Sequence, residues 1–211
     1  RERADTLAVP EEAVELHEQI STCVEDLSVE AVTLLGQQGG YISLPADPIG
    51  EGAHNPFSNS LEIFPASDFQ TAYWFYEAAN GVEHSQVPTV ETMEVELANY
   101  MSANLASCAN DFELFSGYNA SAGIVSSEVE ILEKEVLFTV YYPVHIALDD
   151  FVFDFDSFYI SQEVPLGSLY TAASEIMQTE NEAFALEELT YDILVLHDET
   201  PLAWTDFDCE Q

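Results

Sequence analysis

Apolar residues recur every three or four positions in the first stretch of the chain, which is the spacing of an amphipathic helix. Pro10 opens this stretch and Glu11 and Glu12 follow it, a combination typical of a first helical turn. The apolar positions form one stripe, which comprises Ala13, Leu16, Ile20, Cys23, Leu27, Ala31 and Leu34. The pattern predicts a long helix with this stripe facing the core.

The sequence "LLGQQGGYISLP", residues 34–45, predicts where that helix ends. Gly39 or Gly40 can adopt the left-handed conformation that closes a helix, which a β-carbon would penalise. A phosphate-binding loop needs glycines that lead into a helix, whereas these lead out of one. We therefore interpret Gly39 and Gly40 as a structural helix end.

Two further stretches carry helical periodicity. The first starts at Pro88 or Thr89 and places apolar residues on one stripe, namely Val90, Met93, Leu97, Tyr100, Met101, Leu105 and Cys108. The second starts after Pro165 and carries Leu169, Ala172, Ala173, Ile176 and Met177. Both patterns predict amphipathic helices.

Strand-like alternation dominates the remaining chain. "GIVSSEVEIL" and "EVLFTVYYPVHIAL" flank Glu133 and Lys134 and predict a long hairpin, with Pro143 at an edge or a bulge. "DDFVFDFDSFYI" places Phe151, Phe153 and Phe155 on one face and Val152, Asp154 and Asp156 on the other. Shorter strands are expected at 61–64, 71–78 and 191–198, with a loop at 45–60 and a turn at 78–81. The predicted fold is α+β, with two or three amphipathic helices packed on an antiparallel β-meander.

The charge of the chain indicates where it works. Its 211 residues include 40 Asp and Glu but only three Lys and Arg, a net charge of −37, while 47% of the residues are apolar. This apolar content argues against a disordered acidic chain. Self-repulsion weakens the compact state in dilute buffer, and molar salt screens exposed charges beyond about 3 Å. We expect a salt-adapted protein, with an acidic medium as the alternative. Nucleic acid and anionic membranes are disfavoured partners, since the chain lacks a basic surface.

Few residues form a pattern with a definite chemistry. Asp149, Asp150, Asp154 and Asp156 cluster as ligands of Ca²⁺ or another structural cation do, but a solvated acidic face is the favoured interpretation in so acidic a chain. Asn119 begins an N-glycosylation sequon in an expected loop. The five histidines are scattered singly, and no catalytic motif is present. We therefore predict no cofactor and no enzymatic activity.

The three cysteines lack the spacing of a zinc site. Cys23 and Cys108 both lie on predicted core-facing stripes, so the sequence allows either a disulfide between them or two free buried thiols. The chain contains no run of 18 apolar residues and does not begin with Met. We expect no transmembrane segment within it, and a processed or partial chain.

Several features together resemble one known group of proteins. They are a cysteine in the first helix, "LLGQQGGYI" at its end, a proline-led second helix that ends in cysteine, and a "VYYP" strand. Over about residues 10–180 the chain resembles uncharacterised extracytoplasmic proteins of small-genome archaea, which typically carry an N-terminal membrane anchor. The resemblance implies a Cys23–Cys108 disulfide and an anchor in a longer precursor, but no activity.

These observations define three hypotheses of function. The first is a non-enzymatic surface protein of a salt-adapted archaeon that self-assembles into a filament or surface layer. The second is a monomeric binding module with an aromatic groove built from Tyr73, Trp74, Phe75 and Tyr76, and the third is a secreted hydrolase. Residues 1–9 are expected to form a tail or linker, 10–180 a single domain, and 181–211 a C-terminal strand and acidic tail.

Overall fold

A computed structural model describes most of the chain. The described residues are 13–46, 58–64, 70–109, 119–148 and 151–196. The chain divides into two compact units, with the boundary between Leu166 and Gly167.

Two long helices form one layer of the first unit. Helix α1 spans Val14–Gln37 and helix α2 spans Val90–Cys108. The Oγ1 atom of Thr89 accepts a hydrogen bond of 3.1 Å from the backbone N–H of Thr92, which caps the start of α2. The predicted stripes are buried along most of both helices, although at the end of α1 the buried residue is Leu35 rather than Leu34.

One antiparallel sheet forms the other layer, and its strands are β5 (Asn119–Ala122), β6 (Ser126–Ile131), β7 (Val136–Leu148) and β8 (Phe151–Gln162). Strand β7 is central: β8 pairs along its whole length, while β5 and β6 pair with successive parts of it. Because a strand has two edges, β5 and β6 follow one another along the edge opposite β8. The predicted hairpin is confirmed as β6 and β7.

Pro143 lies at a bulge in β7, one of the two positions predicted for it. The β7–β8 register shifts between Tyr141 and Val144, and β5 and β6 also meet opposite this point. The backbone N–H of Gly123 donates a 2.8 Å hydrogen bond to the carbonyl of Pro143. A β-carbon on Gly123 would lie 2.6 Å from Cγ of Pro143, so a glycine is required where the chain crosses the bulge.

The two helices cover one face of this sheet. Helix α2 lies over β6, α1 lies over β8, and the helices contact each other. Alternate residues of β7 point into this layer and are buried, Phe138 and Ile146 among them. Ser127 Oγ donates to the carbonyl of Ala98 at 2.6 Å, and Gln162 Nε2 donates to Ser28 Oγ at 2.7 Å. The α+β architecture, with helices packed on an antiparallel meander, is confirmed.

Two short hairpins lie between α1 and α2 in the sequence. Strand β1 (Ser60–Glu62) pairs with β2 (Gln70–Ala72), and β3 (Phe75–Glu77) pairs with β4 (Glu83–Ser85). The single strand predicted over 71–78 is therefore wrong, because the chain leaves one hairpin and enters another at Tyr73 and Trp74. The turn at 78–81 is confirmed, with Gly81 at a φ of 78°.

The second unit contains helices. Helix α3 spans Leu166–Ala183, where the third helix was predicted, and α4 spans Ala185–Val195. The strand predicted at 191–198 is wrong over the residues up to Val195, which belong to helix α4. Leucine and isoleucine recur there at helical spacing as well as at strand spacing. The boundary between the two units falls after Leu166, the first residue of α3. The predicted extent of a single domain over residues 10–180 stays a prediction. Residues 1–12 and 197–211 lie outside the described structure.

Candidate functional site

A disulfide bond links α1 to α2 within the first unit. The sulfur atoms of Cys23 and Cys108 are 2.06 Å apart, with their Cα atoms separated by 5.9 Å. Cys23 is buried within α1, and Cys108 is the exposed last residue of α2. The two cysteines lie 85 positions apart in the sequence. Of the two alternatives that the sequence allowed, the paired state is the one present.

The glycine-rich end of α1 is held by several hydrogen bonds. Gly39 and Gly40 have φ angles of 75° and 90°, in the left-handed region that favours glycine. The backbone N–H of Gly40 closes the helix with a 2.8 Å bond to the carbonyl of Leu35. A β-carbon on Gly40 would lie 2.6 Å from Cγ of Pro88, so this position is closed to other residues on steric grounds as well.

Carbonyl groups at the end of α1 accept hydrogen bonds from the segment around β2. Thr71 Oγ1 donates to the carbonyl of Gln37 at 2.8 Å, and the N–H of Ala72 donates to that of Gln38 at 3.2 Å. Trp74 Nε1 donates to the carbonyl of Gly39 at 2.7 Å. The unsatisfied carbonyls of a helix end thus find partners about 35 residues away, and the junction has a structural role.

The predicted aromatic groove is divided by this arrangement. Trp74 bonds to the helix end, and Tyr76 stacks on His84 with ring centroids 5.0 Å apart. Tyr73 and Phe75 are exposed. The four aromatic residues therefore do not all line one surface.

The outer face of the sheet contains a cleft with polar side chains from three strands. His145 on β7 pairs in register with Ser121 on β5 and with Asp154 on β8. The Nδ1 atom of His145 lies 2.6 Å from Oδ1 of Asp154, and these side chains are 49% and 62% exposed. The cleft has a volume of about 570 Å³, and its lining includes Ser121, Gly123, Pro143, His145, Asp154 and Asp156.

This arrangement orients an imidazole beside a hydroxyl and two carboxylates. A carboxylate at Nδ1 fixes the ring and leaves Nε2 to meet a ligand. The cleft is open to solvent. The sequence did not predict the pairing of His145 with Asp154, which lie on the neighbouring strands β7 and β8.

The predicted cation site is brought together in part. Asp154 and Asp156 are exposed and line the same cleft, whereas Asp149 and Asp150 lie outside the described residues. Within the part of the chain that is described, no three His, Cys, Asp or Glu side chains form a group that could hold a metal ion. The solvated-face interpretation agrees with the exposure of Asp154 and Asp156.

The glycosylation sequon at Asn119 lies in a strand rather than in the expected loop. Asn119 is the first residue of β5 and pairs in register with Ala147. The loop prediction was wrong, because the sequon residues form a strand that pairs with the part of β7 that follows the bulge. Glycosylation of Asn119 stays a prediction.

Helix α1 carries one half-buried histidine. His17 packs against Phe155 and Phe158, with ring centroids 5.5 and 5.2 Å away. Burial lowers the pKa of His17, and the negative charge of Glu18 opposes this shift only in part.

The second unit presents apolar side chains without burying any of them. No described residue of α3 or α4 is buried, and Leu169 and Ile176 of the predicted α3 stripe are exposed. Phe184 joins the two helices in the left-handed conformation, at a φ of 51°. A hydrogen bond with Glu187 raises the pKa of Glu180, and the N–H of Leu186, which donates to Glu180 Oε2 at 2.7 Å, opposes the shift.

Comparison with protein-family models, curated proteins and solved structures finds no match for this chain. The fold and its surfaces define the class: an acidic α+β protein with a disulfide-tied helical layer and a second, helical unit with apolar surfaces. No helix within the described residues combines the length and apolarity that crossing a bilayer requires.

Proposed function

We propose that this chain is a non-enzymatic extracellular protein of a salt-adapted archaeon that assembles with copies of itself into a filament or surface layer. One observation carries the proposal. A chain with 40 acidic residues nevertheless leaves most of the large apolar side chains in the described part of its second unit exposed. Extended exposed apolar surfaces in soluble proteins mark sites of association.

The location rests on the disulfide and on the charge. Disulfides persist in oxidising environments and are rare where thiols are kept reduced, and the Cys23–Cys108 bond joins core elements of the first unit. The net charge of −37 favours a medium of high salt, in which repulsion between copies is screened. The resemblance to anchored extracytoplasmic archaeal proteins supports the same location.

The assembly state of native material in molar salt tests this proposal. Light scattering and electron microscopy on the same sample, over a series of KCl and NaCl concentrations, should reveal regular polymers at high salt. Thiol labelling of the same material should find Cys23 and Cys108 oxidised. A monomer at every salt concentration, or free thiols at both positions, would contradict the proposal.

A binding module is the second candidate, and the cleft at His145 and Asp154 favours it. Under this alternative the protein is a stable monomer whose outer sheet face holds a small polar ligand. A ligand screen by calorimetry would test it, with His145→Ala as the variant that loses binding. Leu137→Ala, on the same strand but outside the cleft, is the control that retains it.

A further inference from the structure

The cleft on the outer face of the sheet presents more hydrogen-bond acceptors than donors. The 2.6 Å bond between His145 Nδ1 and Asp154 Oδ1 requires a proton on Nδ1 when the carboxylate is ionised, so a neutral His145 leaves Nε2 as an acceptor. The second oxygen of Asp154 and both oxygens of Asp156 are further acceptors in the cleft. Such a set is complementary to a guanidinium group, which carries five N–H donors and no acceptor.

The chain itself contains few cationic groups that could meet these carboxylates. Its Lys and Arg residues are Arg1, Arg3 and Lys134. Lys134 lies in the turn before β7, and roughly 30 Å of extended strand separates the start of β7 from His145. The two arginines of the N-terminal segment, residues 1–12, are therefore the cations of this chain that remain for the cleft.

Helix α1 begins on the opposite face of the sheet from this cleft. His17, near the start of the helix, packs against the buried Phe155 of β8. Further along the helix, Ser28 bonds to Gln162, near the end of β8. The helix and the strand thus run in the same direction, so the start of α1 is level with the part of β8 that lines the cleft.

The N-terminal segment can reach the cleft by passing round the edge of β8. Within the described residues only β7 pairs with β8, so no strand of that part of the chain lies along its outer edge. Packed layers of secondary structure lie about 10 Å apart, so a route from α1 round this edge to the outer face spans about 20–25 Å. Ten residue steps join Arg3 to Ala13, and an extended chain of that length reaches about 33 Å.

We propose that residues 1–12 cross the edge of β8 and that Arg3 binds in the cleft of the same chain, with its guanidinium group between Asp154 and Asp156. The guanidinium group donates hydrogen bonds to both carboxylates and to Nε2 of His145. This contact supplies the cation that these carboxylates lack among the described residues, where the ion pair of Asp154 is with His145. The contact lies within one chain, so it is independent of association between copies.

Trypsin cleavage after Arg3 tests the proposal, because an arginine held in the cleft cannot enter the active site of the protease. The full chain is digested briefly in molar KCl. Mass spectrometry then measures the initial rate of cleavage after Arg3, relative to cleavage after Lys134 in the same sample. Lys134 is exposed and lies outside the cleft, so it corrects for differences in protease activity.

The cleft variant is Asp154→Asn combined with Asp156→Asn. The matched control is Glu25→Gln combined with Asp26→Asn, which removes the same charge from exposed positions in α1. Circular dichroism verifies that both variants are folded. We expect cleavage after Arg3 to be about fivefold faster in the cleft variant than in the wild type, a factor that corresponds to about 1 kcal/mol for an exposed ion pair. The control should be cleaved at the wild-type rate.

The dependence on protein concentration identifies which chain supplies the arginine. Protection of Arg3 that is the same at all concentrations supports binding within one chain. Protection that rises with concentration would overturn the inference, since the segment would then bind another copy. Equal rates of cleavage in the cleft variant and the wild type would overturn it as well. Both of these results leave the proposed self-assembly standing.

Discussion

Replacing Gly40 with alanine should destabilise the protein severely, because the position excludes a β-carbon in two ways. Its φ of 90° lies in the left-handed region, where a residue with a β-carbon costs about 1–2 kcal/mol. The new β-carbon would also lie 2.6 Å from Cγ of Pro88 and 3.3 Å from Sδ of Met93. Overpacking of this kind costs about 1–3 kcal/mol.

Together these effects predict a loss of about 2–5 kcal/mol, a large part of the roughly 5–15 kcal/mol that stabilises a typical domain. Urea unfolding in molar KCl, followed by circular dichroism, measures the change in the free energy of unfolding.

Gly36→Ala is the matched control for this experiment. Gly36 lies within α1, and a β-carbon there would meet no atom within 4 Å. Alanine in a helix is favoured over glycine by about 0.5–1 kcal/mol, so this variant should be more stable than the wild type. Two alanine substitutions four residues apart should therefore shift the free energy of unfolding in opposite directions. Shifts of the same sign, or a Gly40→Ala variant as stable as the wild type, would refute the role of this junction.

Three further predictions concern the disulfide bond, the half-buried His17 and the net charge. Replacing Cys23 and Cys108 with alanine should lower the free energy of unfolding by about 4–5 kcal/mol in the loop-entropy description, measured against oxidised wild type. Because the pKa of His17 is lowered from 6.5 on folding, stability present above pH 6.5 is lost as the pH falls through the lowered pKa. The His17→Phe variant should therefore lose less stability than the wild type between pH 7 and pH 5 in urea unfolding, and equal losses in the two proteins would contradict this prediction. The melting temperature should rise steeply with KCl and fall in dilute buffer, and a melting temperature independent of salt would contradict the screening argument.

The sequence predicts those parts of the fold in which periodicity and burial agree locally. The stripes of α1 and α2 each span several turns, and the β6–β7 hairpin combines alternation with a short turn at Glu133 and Lys134. In these elements, residues close together in the sequence are enough to predict both the secondary structure and the buried face. The residues alone did not decide whether Cys23 and Cys108 form a disulfide, because its geometry depends on how the two helices pack.

The remaining features depend on contacts between residues far apart in sequence. The aromatic run at 71–78 alternates as one strand would, but the Trp74 indole bonds to Gly39, 35 residues earlier, and the chain turns there. The approach of His145 to Asp154 depends on the register of β7 and β8 across a bulge, which the alternation does not specify. In α4 the residues near Ile193 fit both a strand and a helix, so local pattern could not decide between them.

Charge and disulfide act on different states of this protein. Repulsion among the carboxylates raises the free energy of the compact state, and salt removes most of that cost. The Cys23–Cys108 bond restricts the unfolded chain, and its effect does not require salt. The first unit therefore keeps a source of stability when salt falls. The proposed association between copies has no such covalent bond among the described residues, so copies separate at low salt before the disulfide-tied unit unfolds.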